Sequence, residues 1–296
     1  MKEIFDGVGV ALITPFYRNK VDYTSLQNLI ESCLNDGASA IVVLATTGEG
    51  VTITQTERKA VIGFCKNLIG DRAKLIVGTG NNNFSTCLEN TFMAKEMGAD
   101  AALVVTPYYN KTTQAGIIKY YEMLAKVKLP LIAYNVPSRT GLCIELETIE
   151  KMINTNEYFY GIKESTCDIN RIIKLHEICK NKVAIYSGED DLNYVFYTLG
   201  SRGCISVAAN ICSDRVAKVY NDIQNGNLQS ALETQSELAP LNKYLFCETN
   251  PIPAKFVLQK LGKIRSAEVR PPLVPLSRKF QNQFVEIKEK TSLEKI

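Results

Sequence analysis

The sequence predicts an α/β fold of the (β/α)8 TIM-barrel type, a closed barrel of eight parallel strands with helices between them. Eight short runs rich in Val, Ile, Ala or Tyr recur along the chain, and most gaps between them show helical periodicity. Strands that alternate with helices pair in parallel through helical crossovers. The repeats span about 205 residues, which suits a closed barrel. An open doubly wound sheet is the alternative, but its glycine motif is missing, since Gly80 is followed by three asparagines.

The predicted elements follow in chain order. A first helix over 22–34 carries its apolar residues on one face. A second helix over 54–69 starts at Thr54, with Glu57 at the spacing of a capping box. The eight predicted strands are 9–13, 40–44, 75–78, 101–106, 131–135, 158–163, 183–187 and 204–207.

After the eighth strand the pattern becomes helical only. The helical run 213–259 is interrupted at 225–227, at Pro240 and at 250–253, where we expect helices to break. The last stretch, 271–296, contains three prolines and one more helical run. We therefore predict a barrel domain over 1–212 that carries the active site. An all-helical C-terminal extension over 213–296 would pack on it.

Composition excludes several classes of protein. Lys and Arg number 34 against 31 Asp and Glu, and a net charge of +3 is too weak for electrostatic capture of nucleic acid. The sequence contains no run of about 18 apolar residues, so no transmembrane helix is predicted. The first residues do not show the pattern of a secretory signal peptide. We expect a cytoplasmic protein with no nucleic-acid or membrane partner.

Cysteine and histidine narrow the chemistry. The nine cysteines form no C-x-x-C pair, which argues against zinc, iron–sulfur and redox sites and favours free thiols. The single histidine, His176, lies within a helical pattern that predicts a packing role. With one histidine, neither a metal site built from several histidines nor a Ser-His-Asp triad is predicted. Acid–base chemistry must come from Lys, Tyr, Thr, carboxylates or the substrate.

Polar residues at the ends of two neighbouring predicted strands suggest covalent catalysis. Lys163 closes the apolar sixth strand, where a charged ammonium is poorly solvated and the neutral amine is favoured. A neutral amine attacks a ketone carbon to form an imine. Tyr134 ends the fifth strand, and its hydroxyl could move the protons that imine formation requires. A lysine that reaches solvent or pairs with Glu164 is the alternative.

Two further positions suit carboxylate groups. Thr46 and Thr47 precede Gly48 in the loop after the second strand, where hydroxyls and backbone N–H groups can bind an anion. Arg139 follows a Pro-Ser turn, and its guanidinium can bind a second carboxylate in bidentate fashion. A surface role is the alternative for Arg139.

Four motifs together resemble the dihydrodipicolinate synthase family of pyruvate-dependent class I aldolases. They are TTGE after the second strand, TPYYN after the fourth, YNVPSRTG after the fifth and GIKES on the sixth. The resemblance runs from FDGVGVALITPF through GCISVAAN to the C-terminal helices. It implies a lyase that condenses pyruvate with L-aspartate-4-semialdehyde to give 4-hydroxy-tetrahydrodipicolinate. This is the first committed step of diaminopimelate and lysine biosynthesis.

The resemblance also implies a role for each matching residue. Lys163 would form the imine with pyruvate, and Tyr134 would donate and accept protons. Thr46 and Tyr109 would complete a proton relay, with Tyr109 reaching in from a neighbouring subunit. The other implied contacts are Thr47 and Ile205 with pyruvate, Gly188 along the pocket and Arg139 with the semialdehyde carboxylate. A homotetramer built from two tight dimers is implied, with no metal or cofactor.

Two other functions stay open. A related Schiff-base aldolase such as N-acetylneuraminate lyase shares the lysine and the tyrosine, so Lys163 and Tyr134 do not decide between them. Arg139 and the paired threonines favour a substrate with a carboxylate over a polyol. A barrel that acts as a non-catalytic scaffold would lack the lysine or the tyrosine, and both are present.

The resemblance bears on regulation as well. Lysine-inhibited members carry two histidines on the helix after TTGE, and an asparagine and a glutamate after the following GTG turn. Here Gln55 and Arg58 stand at the histidine positions, Asn82 is retained and Thr86 replaces the acid. The lost carboxylate and the added positive charge predict weak inhibition by lysine, or none.

Overall fold

Eight parallel strands close into a barrel in the computed structural model, which describes residues 1–291 and 293. Each strand pairs with its neighbour in the chain, and the last pairs with the first. The barrel strands are β1 (Gly7–Ala11), β4 (Ala38–Val43), β5 (Lys74–Gly78), β6 (Ala101–Val105), β7 (Leu131–Asn135), β8 (Phe159–Glu164), β9 (Ala184–Ser187) and β10 (Gly203–Ser206). The predicted barrel is confirmed. A short antiparallel pair that we did not predict, β2 (Phe16–Tyr17) and β3 (Lys20–Val21), lies outside it.

Helices connect the strands and continue after the barrel closes. They are α1 (Tyr23–Asn35), α2 (Gln55–Ile69), α3 (Phe84–Glu96), α4 (Gln114–Ala125), α5 (Pro137–Thr140), α6 (Leu146–Thr155), α7 (Ile169–Cys179), α8 (Asn193–Thr198), α9 (Ala209–Gln224), α10 (Leu228–Leu245), α11 (Ile252–Lys260) and α12 (Arg278–Lys290). Thr54 caps α2 in a complete capping box with Glu57, as predicted. None of the helices in the described part of the chain has the length and apolar character needed to cross a bilayer.

The strands are buried because helices cover the outside of the barrel and side chains fill its inside. All five residues of β1 and of β7 are buried, and so are most residues of the other barrel strands. This burial matches the near-continuous Val, Ile, Leu and Ala content of parallel strands covered on both faces. The barrel is therefore a packed core that holds the carboxyl ends of its strands in fixed positions.

The C-terminal helices differ from the prediction at Pro240. We expected a break there, but α10 runs through Pro240 from Leu228 to Leu245. Proline removes one backbone hydrogen bond, at a cost of about 3 kcal/mol. Leu238, Leu241 and Leu245 are buried on either side of it, and this packing keeps the helix continuous. The break expected at 225–227 separates α9 from α10, as predicted, and α11 begins inside the break expected at 250–253.

The predicted boundary between barrel and extension falls within α9. Cys212 has non-helical backbone angles, φ −142° and ψ 65°, so the helix is kinked at this residue. The boundary between residues 212 and 213 coincides with the kink and stays a prediction.

Candidate active site

A cavity of about 270 Å³ opens at the carboxyl ends of the strands, where active sites of this fold lie. Three residues predicted from the sequence line it: Thr46, Tyr134 and Arg139. The C-terminal extension contributes Asn250 and Pro251 to the same wall. The cavity therefore lies between the barrel and the extension.

Lys163 and Tyr134 lie side by side on neighbouring strands. They are direct partners in the register of β8 and β7. Lys163 is only 5% exposed, and its Nζ lies 4.3 Å from the centroid of the Tyr134 ring. This contact places the Lys163 amine next to Tyr134, which lines the cavity. The arrangement matches an imine-forming lysine with a phenol beside it.

Gly188 leaves the space that the Lys163 side chain occupies. A Cβ atom at this position would come within 2.8 Å of Lys163 Cε and 1.9 Å of Ser165 Oγ. Any larger residue would therefore displace the lysine. Ile205, the other predicted pocket residue, is buried on β10 opposite Gly9.

A buried hydrogen-bond network fixes the strand ends next to Lys163. Asn135 Nδ2 donates to both carboxylate oxygens of Glu164, at 2.9 and 3.0 Å. Arg171 pairs with the same carboxylate at 3.0 Å. Glu164 is thus bound to these two partners rather than to Lys163, which was the alternative we had considered. The network holds β7 and β8 together one residue beyond the Tyr134–Lys163 pair.

The two threonines occupy different environments. Thr46 is half-buried on the cavity wall, whereas Thr47 is buried. Asn250 Nδ2 donates to Thr47 Oγ1 at 2.9 Å, so the hydroxyl proton of Thr47 is free to point elsewhere. A hydroxyl that accepts on one side donates well to an anion on the other.

Arg139 contacts the same asparagine. It lies on α5 and donates from Nη2 to the main-chain oxygen of Asn250 at 3.2 Å. Asn250 is not among the residues predicted for the site, and it lies 203 positions from Thr47 and 111 from Arg139. We had interpreted it only as part of a helix break.

Tyr109 is not brought into the site by its own chain. It is 92% exposed and has a left-handed backbone conformation, with φ 68°. Its neighbour Tyr108 lines the cavity instead. An aromatic side chain this exposed at the edge of a pocket is available to a second protein chain.

Arg58 and Gln55 have partners within the chain. The buried guanidinium of Arg58 donates to the main-chain oxygens of Gly78 and Gly50, at 2.9 and 2.8 Å. Gln55 Nε2 donates to Asn90 Oδ1 at 2.9 Å. Arg58 also lines the cavity, and its positive charge opposes the binding of a second cation there.

Glu189 brings a titratable carboxyl close to Lys163. Burial raises the pKa of Glu189 to about 7, and the positive charge of Lys163 partly opposes the shift. Asp190, the next residue, is fully engaged: its Oδ2 accepts from the backbone N–H groups of Val207 and Ala208, both at 3.0 Å. With a pKa of about 7, Glu189 is a carboxyl near Lys163 that changes charge around neutral pH.

We expect Glu189→Gln to stabilise the protein in a pH-dependent way. The folded-state pKa of Glu189 is raised from 4.5 to about 7, so between these values the folded state binds the extra proton. The free energy of unfolding of the wild type therefore falls as pH rises through this window. The variant should match the wild type at pH 4 and exceed it by about 2 kcal/mol at pH 8. Urea unfolding at the two pH values checks this, and an equal difference at both would contradict it.

The chain is similar to known proteins along nearly its whole length. The model of the dihydrodipicolinate synthetase family matches residues 4–291. A 4-hydroxy-tetrahydrodipicolinate synthase from Fervidobacterium nodosum is 41% identical over 273 residues, covering 92% of this chain and 93% of the relative.

No group of three His, Cys, Asp or Glu residues within 1–291 and 293 is placed to hold a metal ion.

Solved structures agree with the relatives. The dihydrodipicolinate synthase of Thermotoga maritima superposes with a TM-score of 0.96 at 34% identity, covering 98% of this chain and 100% of that one. The corresponding enzyme of Aquifex aeolicus gives 0.94 at 40% identity, with 98% and 99% covered. A family model that spans the barrel and the extension, together with relatives of the same length, establishes the relationship. The chain belongs to the dihydrodipicolinate synthetase family.

Proposed function

We propose that this chain condenses pyruvate with L-aspartate-4-semialdehyde to give 4-hydroxy-tetrahydrodipicolinate, in diaminopimelate and lysine biosynthesis. The observation that carries the proposal is the Lys163–Tyr134 pair, which is matched in register and has Tyr134 on the wall of the cavity that Arg139 also lines. The relatives described above are named as synthases of this product or of dihydrodipicolinate. The enzyme is a lyase that works through an imine on its own lysine.

Lys163 begins the reaction. Its neutral amine attacks the ketone carbon of pyruvate, and the carbonyl oxygen leaves as water, forming an imine. The protonated imine nitrogen withdraws electrons, so the methyl group of pyruvate loses a proton and an enamine forms. The enamine carbon attacks the aldehyde of the second substrate. The amine of that substrate then attacks the imine carbon, which closes the ring and releases Lys163.

Tyr134 and the hydroxyls near it move the protons. The hydroxyl of Tyr134 donates to the departing oxygen and takes a proton back in a later step. Thr46 lies on the same cavity wall and passes protons to and from Tyr134. Tyr109 of a second copy would complete this proton relay. The distance of 4.3 Å between Lys163 Nζ and the centroid of the Tyr134 ring supports a site in which both residues act on the same bound substrate.

Each carboxylate has a separate partner. Thr47, with its hydroxyl proton free, binds the pyruvate carboxylate together with backbone N–H groups of its loop. Ile205 and Gly188 border the pyruvate pocket. Arg139, at the cavity wall, binds the carboxylate of the semialdehyde.

A second copy of the chain would complete the site. Tyr109 and Val51 are strongly exposed beside the cavity, while Ile169 and Ile173 form a separate exposed pair on α7. Two apolar surfaces of this kind suit two interfaces and therefore a homotetramer made of two dimers. Sedimentation equilibrium should give the mass of four chains, and a monomer at micromolar concentration would contradict this. A cytoplasmic location suits the nine free cysteines.

L-Lysine should inhibit the enzyme weakly or not at all. The Arg58 guanidinium, fixed by two carbonyl oxygens in the cavity, repels the ammonium groups of lysine. Thr86 offers no carboxylate to bind them. Steady-state rates at rising lysine concentration measure this directly, and half-maximal inhibition below the millimolar range would contradict it.

The substrate is tested by coupling pyruvate to two acceptors in parallel. Pyruvate consumption should proceed with L-aspartate-4-semialdehyde and should be absent with N-acetylmannosamine. Arg139→Ala should raise the KM for the semialdehyde about tenfold or more and leave the KM for pyruvate unchanged, because only one carboxylate loses its partner. Turnover with the sugar would assign the chain to the lyase branch of the superfamily. It would also contradict the role given to Arg139.

A further inference from the structure

A fully buried ion pair joins the C-terminal extension to the loop that carries Thr46 and Thr47. Lys255 lies on α11 without solvent exposure, and its ammonium contacts Glu49 Oε1 in the loop after β4. The same ammonium donates to the main-chain oxygen of Glu268 at 2.9 Å. The other oxygen of Glu49 accepts the backbone N–H of Arg270 at 2.9 Å. Both oxygens of Glu49 are therefore bound by the extension.

Stability alone does not explain this pair. Removing two charges from water costs free energy that their attraction often fails to recover, so apolar residues of similar size would serve the core as well. The cost is visible in Lys255, whose pKa is lowered by burial to about 8 although the Glu49 carboxylate opposes the shift. The ammonium also lies 4.0 Å from the centroid of the buried Phe16 ring. A buried pair maintained at this cost is a candidate for a functional role.

The position of Glu49 determines the shape of the threonine loop. Glu49 has a left-handed backbone conformation with φ 51°, which is uncommon for a non-glycine residue. Its backbone N–H donates to the main-chain oxygen of Thr46 at 3.1 Å. The adjacent Gly48 accepts from Thr14 Oγ1 at 2.7 Å. Fixing the Glu49 side chain thus fixes the turn in which Thr46 and Thr47 lie.

We propose that Lys255 is a positioning residue of the reaction, which acts through Glu49 to hold Thr46 and Thr47 at the substrate cavity. This inference rests on the proposed function, in which Thr47 binds pyruvate and Thr46 relays protons. Lys255 itself touches no substrate. Through Lys255, the C-terminal extension helps to position the residues of the active site.

The test compares Lys255→Met with Lys260→Met. Lys260 lies on the same helix but is exposed, so its replacement removes the same charge from the extension without touching the loop. We expect Lys255→Met to raise the KM for pyruvate about tenfold or more and to lower kcat, because both threonines shift. Lys260→Met should keep wild-type constants.

A double variant separates positioning from stability. Glu49→Met together with Lys255→Met leaves no unpaired buried charge, so its melting temperature should exceed that of Lys255→Met. Its KM for pyruvate should nevertheless stay raised, because the loop is no longer held. Rates are measured well below the melting temperature of each variant.

Two results would overturn the inference: wild-type constants in Lys255→Met, or a double variant that regains the wild-type KM. The wild type is assayed alongside. If it fails to turn over pyruvate with the semialdehyde, the proposed function is wrong. If it turns over and the variants match it, only the role of Lys255 is wrong.

Discussion

Lys163→Ala should abolish the condensation, lowering kcat by on the order of 10⁴-fold or more, because no other group can form the covalent intermediate. Lys163 is the lysine whose amine lies 4.3 Å from the centroid of the Tyr134 ring. An alanine here leaves the strand pairing intact, since the hydrogen bonds of β8 to β7 are made by the backbone. The loss should therefore appear in activity and not in folding.

Two comparisons make this result specific. Circular dichroism and the melting temperature should show that Lys163→Ala folds like the wild type. Lys163→Arg, which keeps the positive charge, should be as inactive as the alanine variant, because a guanidinium does not deprotonate to attack pyruvate. Retained activity in either variant, above about 1% of the wild type, would contradict imine catalysis by this residue.

Tyr134→Phe should lower kcat by roughly 10²–10⁴-fold, the usual contribution of a positioned proton donor. Phenylalanine keeps the ring that faces Lys163 and removes only the hydroxyl. The packing of the site and the KM for pyruvate should therefore change little. Steady-state kinetics with both substrates measure this separation of kcat from KM.

A matched control is available in the loop after β6, the strand that pairs with β7. Tyr108→Phe removes a hydroxyl from another tyrosine on the cavity wall, and this residue has no role in the proposed mechanism. Its kcat should stay within about twofold of the wild type. Equal losses in both variants would indicate a general effect of hydroxyl removal in the cavity. They would contradict a specific role for Tyr134.

The barrel could be predicted from local sequence because its strands are mostly runs of apolar residues. Such runs are buried on both faces, so burial and sequence carry the same information. Strand 131–135 was predicted with the bounds observed for β7, and strand 158–163 differs from β8 by one residue at each end. Since the strand order of a barrel follows the chain, adjacent strands in sequence also placed Tyr134 beside Lys163.

The contacts made by the extension could not be predicted in this way. Asn250, Lys255 and Arg270 reach the loop after β4 across more than 200 residues, and no periodicity encodes such pairings. Pro240 is a second case in which local sequence does not determine the structure. Its propensity favours a break, but tertiary packing keeps α10 intact. Glu49 belongs to the TTGE motif, but the motif does not indicate its partners Lys255 and Arg270 in the extension.

The exposed Tyr109 marks a different limit. Its role was implied by resemblance, and a single chain leaves it 92% exposed beside the cavity. In the proposed assembly, a second copy of the chain would bring Tyr109 to the site. Neither the sequence nor the fold of a single chain identifies what contacts this exposed side chain.

The most direct test of the account is to locate the covalent intermediate. The wild-type protein is incubated with pyruvate, reduced with sodium borohydride, digested and analysed by mass spectrometry. If Lys163 forms the imine, one reduced pyruvyl group per chain is expected, on the peptide that contains Lys163. An adduct on another lysine, or none under conditions in which the enzyme turns over, would contradict it.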